Sequence, residues 1–423
     1  MTGADTASAF TYTFPVYEMA KLRWAALYDR DDSAFTGLNR FWHEERLATH
    51  ADRWVTTPNV DTLYSRAWLA LDQGPVRLDL PATEGRYLSI ALLDTFSDNV
   101  AIIGPRNLGA NGATIVVAGP DSDVAVPDNA RVVRVPSNDI LVFARVLVGS
   151  GDDERSARAC QNALALTALG KVAELPPLRR ATEPGEDCVA LLRDALARNP
   201  PRAHEAAMRR KLVTLGLMRD GPGGGFAPAQ AFAANFAGHV AALRAAMGAA
   251  GPPPGGWTRP HPAAGDFGTF YRMRASVAMG GLLALPQTEA VYMSSAIDAA
   301  NAPLHGSNRY LLRVPAGGIP ADSFWSLTMY EDADSGGRFL VDNPLGRYCL
   351  NDRSPGLIVK PDGGIDIILQ RTAPVKEQLP NWLPAPTGPF RVTLRAYLPR
   401  TSLIDGRFRM PPIEKVGPGG NPS

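Results

Sequence analysis

Cysteine is scarce in this chain, and neither cysteine nor histidine occurs in a spacing that suits a metal. The 423 residues include 3 cysteines, Cys160, Cys188 and Cys349, and 6 histidines. An odd number of cysteines without a zinc-like spacing excludes a disulfide framework and favours a reducing compartment. Because no HExxH or His-x-His pair occurs, no metal site is predicted, and a metal-dependent enzyme is kept only as an alternative.

Excess charge, long apolar runs and a leader are also missing. The 43 basic residues balance 42 acidic ones, for a net charge of +1, so no global field draws the protein to nucleic acid or to an anionic membrane. No run approaches the roughly 18 apolar residues that span a bilayer, and residues 1–13 lack a basic region followed by an apolar one. The sequence therefore predicts no nucleic-acid or membrane partner, and a cytoplasmic location unless a leader has been removed.

Motifs for nucleotides and for activated nucleophiles are absent too. There is no Walker loop, no glycine fingerprint between a strand and a helix, and no nucleophile elbow. The glycine-rich run at 221–225 is typical of a linker. No organic cofactor is therefore predicted, and the expected partner is a small molecule, with a homo-oligomer left open.

What is present is the composition of an ordinary globular protein, with 45% apolar and 20% charged residues. The spacing of apolar residues predicts a helix over 15–30. Short β runs separated by turn signals then fill 61–148, which favours a sandwich or barrel over βαβ units.

The middle of the chain is rich in Ala, Leu and Arg, and β runs return from residue 291. The candidate helices are 154–173, 185–198, 201–216 and 226–249, followed by a Pro/Gly linker at 251–256 and a helix at 267–283. This order predicts an α+β fold, mainly β. The predicted domains are an N-terminal β domain with a leading helix (1–151), a helical insertion with the linker (152–264) and a C-terminal β-sandwich (265–423).

Several motifs in the two halves resemble a tandem pair of domains of unknown function, DUF1254 followed by DUF1214. The N-terminal motifs are Thr57-Pro58-Asn59-Val60-Asp61-Thr62-Leu63-Tyr64-Ser65, Gly85-Arg86-Tyr87 and Leu92-Leu93-Asp94. The C-terminal motifs are Asn308-Arg309-Tyr310, Phe324 to Tyr330, Asp342-Asn343-Pro344, Asn381-Trp382 and Arg395-Ala396-Tyr397. The resemblance implies two β-rich domains, the second like a jelly roll, and no settled activity. Val60 departs from the family, which usually has a second Asn there, and many members look exported.

Asn59, Asp61 and Tyr64 form the first candidate cluster, beside an apolar run that favours a strand. On a regular strand Asn59 and Asp61 share one face and Tyr64 lies on the other, but a turn begun at Pro58 would bring all three together. A carboxylate beside a phenol can act as base and acid. Asp61 and Tyr64 are therefore catalytic candidates, and Asn59 is a substrate-binding one. The alternative is an Asx-type turn, in which Asp61 accepts backbone N–H groups and Tyr64 packs.

Asp94 and Asn99 lie where polar side chains collect after the predicted strand 88–93. Carboxylates at a strand end can hold a ligand, which makes Asp94 a third catalytic candidate and Asn99 a substrate-binding one. The alternative is an ordinary polar turn.

The C-terminal half has its own dense polar group. Arg347 and Arg353 can clamp a carboxylate or sulfate through paired N–H donors, with Asn343 and Tyr348 beside them. The alternative is that both arginines form ion pairs with neighbouring aspartates and only pin a loop.

Tyr330, Trp382 and Arg395 complete the predicted substrate-binding set. Tyr330 and Trp382, with two further aromatics, can line a wall for a sugar or hydrocarbon ring, although aromatics that alternate along strands more often form sandwich core. Arg395 lies in the middle of an alternating run, 391–398, where a charged side chain needs a partner.

These candidates lead to one functional expectation with two alternatives. We expect a cofactor-independent acid–base enzyme, of hydrolase, lyase or cyclase type, acting on a small polar or sugar-like molecule in a pocket between the β domains. The alternatives are a non-catalytic glycan- or lipid-binding protein and a metal-dependent enzyme. The enzyme expectation requires that residues near 61 and near 350 face a common solvent-accessible hollow.

Overall fold

Two β-sandwiches and a layer of helices make up the computed structural model, which describes residues 3–122, 130–248, 253–333 and 336–417. The predicted α+β, mainly β class is confirmed. Residues 249–252, where a predicted helix ends and the predicted linker begins, lie outside the described residues.

The N-terminal sandwich is built from nine strands. They are β1 (Trp42–His43), β2 (Thr62–Ala70), β3 (Val76–Leu80), β4 (Leu88–Asp94), β5 (Asn99–Ile103), β6 (Ala113–Ala118), β7 (Arg131–Arg134), β8 (Asp139–Leu147) and β9 (Ala165–Ala168). One sheet has the order β1-β2-β8-β4-β5 and the other β7-β6-β3-β9. Leu63, Ile90 and Val142 on the first sheet pack against Leu78 and Ile115 on the second.

The C-terminal sandwich uses the other nine strands. They are β10 (Ala290–Ser295), β11 (Arg309–Val314), β12 (Ala321–Asp332), β13 (Arg338–Leu340), β14 (Cys349–Asn351), β15 (Ile365–Gln370), β16 (Trp382–Pro384), β17 (Phe390–Pro399) and β18 (Glu414–Val416). One sheet runs β10-β17-β12-β13, with β14 also paired to β12, and the other runs β16-β15-β11-β18. Their facing side chains form the largest apolar core. The jelly-roll detail of this sandwich stays a prediction.

The helices pack mainly on one another and on the outer face of the first N-terminal sheet. They are α1 (Gly3–Leu27), α2 (Pro105–Leu108), α3 (Glu154–Asn162), α4 (Pro184–Arg198), α5 (Ala206–Thr214), α6 (Gln230–Gly248), α7 (Tyr271–Gly281) and α8 (Thr401–Ile404). Helix α1 is longer than predicted and continues through Pro15. Residues on several of its faces, including Phe10, Tyr12 and Val16, are buried against α4 to α7, so packing stabilises it beyond what propensity supplies.

The predicted helix at 154–173 is wrong in its second half. Helix α3 ends at Asn162, and Ala165–Ala168 forms strand β9, which pairs antiparallel with β3. Ala-Leu-Thr-Ala has a helical bias by composition, but an open strand edge beside it offers backbone hydrogen bonds, and tertiary pairing overrides propensity. The sheet that contains β3 therefore includes residues beyond 151, the predicted end of the N-terminal domain.

The two sandwiches meet along an interface that positions the candidate residues. Trp68, Tyr87 and Phe143 of the first N-terminal sheet pack in one cluster with Phe324 and Tyr397 of the first C-terminal sheet. None of the helices in the described ranges combines the length and the apolar character that crossing a bilayer requires.

Candidate functional site between the sandwiches

Strict alternation along β12 and β17 gives the first C-terminal sheet one apolar face and one polar face. Trp325, Leu327 and Met329 enter the sandwich core. Side chains between them point to the opposite face, because successive strand residues alternate. The buried polar side chains of this face are Ser326, Thr328, Tyr330, Thr393, Arg395 and Tyr397. A sheet face of this composition usually contacts water, but here the N-terminal domain covers it.

The covering segment is the stretch that leads into β2, residues 44–61, which we call the strap. Thr57 is its anchor point: its N–H donates to the carbonyl of Arg338 at 2.8 Å, and its own carbonyl accepts from Nη2 of Arg395 at 3.0 Å. The hydroxyl of Tyr330 donates to the carbonyl of Pro58 at 2.6 Å. Thr57 has a φ of 51°, which is strained for a β-branched residue and is held by these bonds.

Asp61 joins the end of the strap to the C-terminal sheet. Its side chain is buried, with 1% exposure. One carboxylate oxygen accepts from Nη2 of Arg353 at 2.9 Å and from Asn351 at 3.5 Å, and the other accepts from the Ser326 hydroxyl. Residues near 61 and near 350 are thus in direct contact. Both oxygens of Asp61 are already engaged, because three donors share the roughly four lone-pair sites of the carboxylate.

The turn before Asp61 has an Asx form, but the capping residue is Asn59 and not Asp61, which the alternative had expected. The Oδ1 atom of Asn59 accepts the N–H of Asp61 at 2.7 Å. Its amide donates to the hydroxyl of Tyr397 at 3.0 Å, and Tyr292 donates to the same hydroxyl at 3.4 Å. Asn59 therefore connects the strap to two phenols on the polar face.

Arg395 is the central cation of this polar face. It is 6% exposed and donates to Thr328 at 3.0 Å and to Tyr330 at 2.7 Å, in addition to Thr57. Burial opposes its charge, but the nearby phenols, led by Tyr330 and Tyr397, together with Asp61, keep its pKa above the usual value. All its described acceptors are neutral groups, so its charge has no ion-pair partner among the residues that the structure describes.

Tyr64 enters the same space from the N-terminal sheet. Its ring lies 5.1 Å from that of Phe143, and its side chain is half-buried. Within the described part of the chain, its hydroxyl has no hydrogen-bond partner, unlike the hydroxyls of Tyr330 and Tyr397. Burial raises the pKa of the Tyr64 phenol, although Arg145 nearby lowers it in part.

Asp94 and Asn99 lie elsewhere. Asp94 pairs with Ile140 across β4 and β8, while Asp61 lies beside Val148 at the other end of the same sheet, which separates the two residues by about 26 Å along the strands. Asp94 caps the N–H groups of Phe96 and Asp98 and pairs with Arg202 at 2.9 Å. The amide of Asn99 donates to the carbonyls of Gly265 and Ala284, which lie before and after α7, at 2.8 and 2.9 Å.

Asn343, Arg347 and Trp382 have local roles in the C-terminal domain, whereas Tyr348 contacts the strap. Asn343 bonds to the backbone of its own turn, and Arg347 donates to the carbonyls of Leu379 and Trp382 at 2.7 and 2.9 Å. The indole of Trp382 is buried and donates to a backbone carbonyl. Tyr348 is hydrogen-bonded to His50 of the strap at 2.9 Å. The predicted ion pair with a neighbouring aspartate occurs at Arg353, which pairs with Asp352 at 2.6 Å and also with Asp61 across the interface. Arg347 holds its loop through backbone carbonyls instead.

We call the connected set of interface residues the polar seam. Its members are Asn59, Asp61, Tyr64, Arg145, Tyr292, Ser326, Thr328, Tyr330, Arg353, Arg395 and Tyr397. Across the described ranges, no group of three or more His, Cys, Asp or Glu side chains is arranged to hold a metal ion.

Comparison with known sequence families matches both halves of the chain. Residues 38–168 match DUF1254, a protein of unknown function, and residues 289–401 match DUF1214, also of unknown function. The two matches together take in more than half of the chain. The protein belongs to the DUF1254/DUF1214 tandem family. No curated protein matches it.

Two solved structures are similar to this DUF1254/DUF1214 protein over most of its length. The VPA0106 protein from Vibrio parahaemolyticus is 22% identical, with a TM-score of 0.77 over 98% of this chain and 99% of that one. An uncharacterized protein from Burkholderia cenocepacia is 14% identical, with a TM-score of 0.49 over 97% of this chain and 88% of that one. The first of these likenesses supports the fold.

Sequence reasoning missed two seam residues that its own rules could have found. Arg145 interrupts the apolar run of β8 just as Arg395 interrupts β17, and Ser326 occupies a polar position in an alternating strand. A third residue, Glu44, lies beside the seam: it accepts the N–H of Tyr64 at 3.2 Å, and burial raises its pKa to about 7. No pattern in the sequence pointed to Glu44.

Proposed function

We propose that this DUF1254/DUF1214 protein binds a small polar molecule in the polar seam and acts on it by acid–base chemistry without an organic cofactor. The observation that carries the proposal is a polar sheet face that is buried beneath the strap, with the hydroxyl of Tyr64 directed into the same region and uncommitted. Convergent polar groups at a domain interface are typical of ligand sites. Hydrolysis, elimination and cyclisation all fit this chemistry.

Tyr64 is the proton donor in this proposal. A tyrosine phenol with its ordinary pKa of about 10 keeps its proton at neutral pH, and burial raises the pKa of Tyr64 further, so the hydroxyl is present as a donor for a leaving group or a developing oxyanion. Arg395 supplies positive charge to an anionic or carbonyl group. Asp61 becomes a positioning residue rather than the base, because Arg353 and Ser326 occupy its oxygens.

A second candidate is a binding protein without turnover. The engagement of both Asp61 oxygens favours it, since the described contacts leave the seam without an unoccupied carboxylate at that position. For either candidate we place the protein in the cytoplasm, which the free thiols of Cys160, Cys188 and Cys349 support.

The test is an untargeted turnover assay. Purified protein is incubated with a polar metabolite extract, and mass spectrometry follows which compounds disappear and which appear. We expect wild type and the control Tyr271→Phe, whose phenol lies outside the seam, to convert one compound that Tyr64→Phe leaves unchanged. Equal conversion by Tyr64→Phe would refute the acid role of Tyr64. A compound retained by the protein but never converted would establish the binding candidate instead.

A further inference from the structure

Arg145 is a buried cation within a strand whose other residues are largely apolar. It lies on β8, pairs with Tyr64 on one side and Ser89 on the other, and is 5% exposed. A charged side chain at such a position is costly unless it is fully hydrogen-bonded and paired. Its bonding pattern is therefore informative.

The guanidinium of Arg145 is only partly satisfied by the chain. Nη2 donates to the carbonyl of Leu283 at 3.2 Å. Nε and Nη1 are buried and have no hydrogen-bond partner among the described residues, which leaves three of the five N–H donors of an arginine unused. Buried polar groups in folded proteins are nearly always bonded, so Nε and Nη1 of Arg145 lack the acceptors that a buried arginine normally has.

The groups around Arg145 are phenols and aromatic faces. The guanidinium lies 4.6 Å from the ring of Phe143 and 5.8 Å from that of Tyr64. Burial opposes its charge, while the phenols of Tyr292, Tyr64, Tyr397 and Tyr87 keep its pKa raised. Leu283, which supplies the single protein acceptor, has a φ of 68°, a backbone conformation that is strained for leucine.

The nearby carboxylates are committed to other partners. Asp61 pairs with Arg353 at 2.9 Å, and Glu289 pairs with Arg106 and accepts from Tyr87. Neither Arg145 nor Arg395 has an ion pair with any described carboxylate. The seam thus holds two buried guanidinium groups with uncompensated charge, which favours an anionic ligand.

We propose that Arg145 binds the carboxylate of a small organic acid, with the hydroxyl of Tyr64 as a neighbouring donor and the ring of Phe143 against the apolar body of the acid. This inference deepens the proposed function and rests on it for the location of the ligand. A carboxylate fits better than a phosphate, because phosphate sites draw on backbone N–H groups at helix N-termini or glycine-rich loops, and the described contacts of Arg145 include none.

The test compares charged and neutral probes of one shape. Calorimetric titration and thermal shift would be measured with benzoate, hexanoate, benzamide and inorganic phosphate, on wild type, Arg145→Met and Arg347→Met. Arg347 is the matched control, because it is an arginine bonded to backbone carbonyls outside the seam. We expect benzoate or hexanoate to bind wild type and Arg347→Met, with binding at least about tenfold weaker to Arg145→Met and absent for benzamide.

Three results would overturn the inference: equal binding of benzoate and benzamide, undiminished carboxylate binding by Arg145→Met, or binding of phosphate in place of the carboxylates. Tyr64→Phe provides a second variant should Arg145→Met not fold, and carboxylate binding that it leaves unchanged counts against the neighbouring phenol donor. Absence of binding by either carboxylate also refutes the ligand class. That result does not decide the proposed function, which the turnover assay tests independently of the charge of the ligand.

Discussion

Replacing Arg145 with Met should make the unliganded protein more stable, which is the opposite of the usual effect of a buried substitution. The change removes a buried charge with three unused donors and places an apolar side chain of similar length beside Phe143 and Tyr64. It loses one hydrogen bond, to Leu283 at 3.2 Å, and two cation–ring contacts. Replacing buried ionic groups with apolar ones is often stabilising by about 1–4 kcal/mol, so after these losses we expect a gain of about 1–3 kcal/mol.

Replacing Arg353 with Met should instead make the protein less stable. Arg353 is the ion-pair partner of the buried Asp61, and removing one partner of a buried pair costs about 3–5 kcal/mol because the remaining charge is left uncompensated. Urea denaturation followed by circular dichroism measures both effects as midpoint shifts at an unchanged slope. Arg347→Met serves as the reference, with an expected loss of about 1–3 kcal/mol for its two carbonyl bonds.

A loss of stability in Arg145→Met comparable to that in Arg353→Met would refute this reasoning. It would mean that the folded chain itself compensates the charge of Arg145, so that no outside acceptor is required. At saturating concentrations of a carboxylate ligand, wild type should become more stable than Arg145→Met. A ligand that binds only the folded wild type adds stability in proportion to the logarithm of its concentration.

Two further predictions concern the loop after β4 and the strap. Burial, together with the neighbouring Asp98, raises the pKa of Asp94 from 3.8 to about 6. The folded state therefore holds this proton more tightly than the unfolded chain does. The stabilisation that Asp94 contributes to the folded state is greatest below about pH 4 and is lost as the pH rises through 6. Asp94→Asn should flatten that part of a curve of urea midpoint against pH, and an unchanged curve would contradict the assignment. Thr57→Gly should raise stability by up to about 1 kcal/mol by relieving its left-handed backbone, whereas Thr57→Val should lower it. A thermal midpoint that falls in the glycine variant would show that the side chain of Thr57 matters more than its φ.

How much of this protein could be predicted depends on how local each signal was. The alternation of apolar and polar residues in β12 and β17, and the charged residue inside β17, could be predicted from the sequence, because strand periodicity depends on neighbouring residues. The contact between Asp61 and Arg353 spans almost 300 positions, and it was anticipated only because both lay in dense polar motifs. Arg145 gave the same signal as Arg395 and could have been found.

Other features could not be deduced from local patterns. Strand β9 forms because β3 presents an open edge, and the sequence Ala-Leu-Thr-Ala does not by itself indicate that this edge lies beside it. Trp382 has an aromatic side chain suited to a ligand wall, but it is buried beside Leu311 and Ile368 on the outer face of its sheet, and its indole donates to a backbone carbonyl. The engagement of both Asp61 oxygens also changes an expectation: Asp61→Asn would disturb a buried ion pair as well as any chemistry, so loss of activity in that variant alone would not identify a base.

The two surfaces that meet at the interface differ in polarity, and this difference affects how the two halves of the protein would behave if they were produced separately. The C-terminal surface carries the hydroxyls of Thr328 and Tyr330 and the guanidinium of Arg395, whereas the N-terminal surface presents the aromatic rings of Tyr64, Tyr87 and Phe143. Separately produced halves should therefore behave differently in solution: the C-terminal half can expose its surface to water, while the N-terminal half would show a hydrophobic patch that promotes aggregation. The half bearing Tyr64 and Arg145 thus depends on the other as a solubilising cover, which would favour keeping both on one polypeptide.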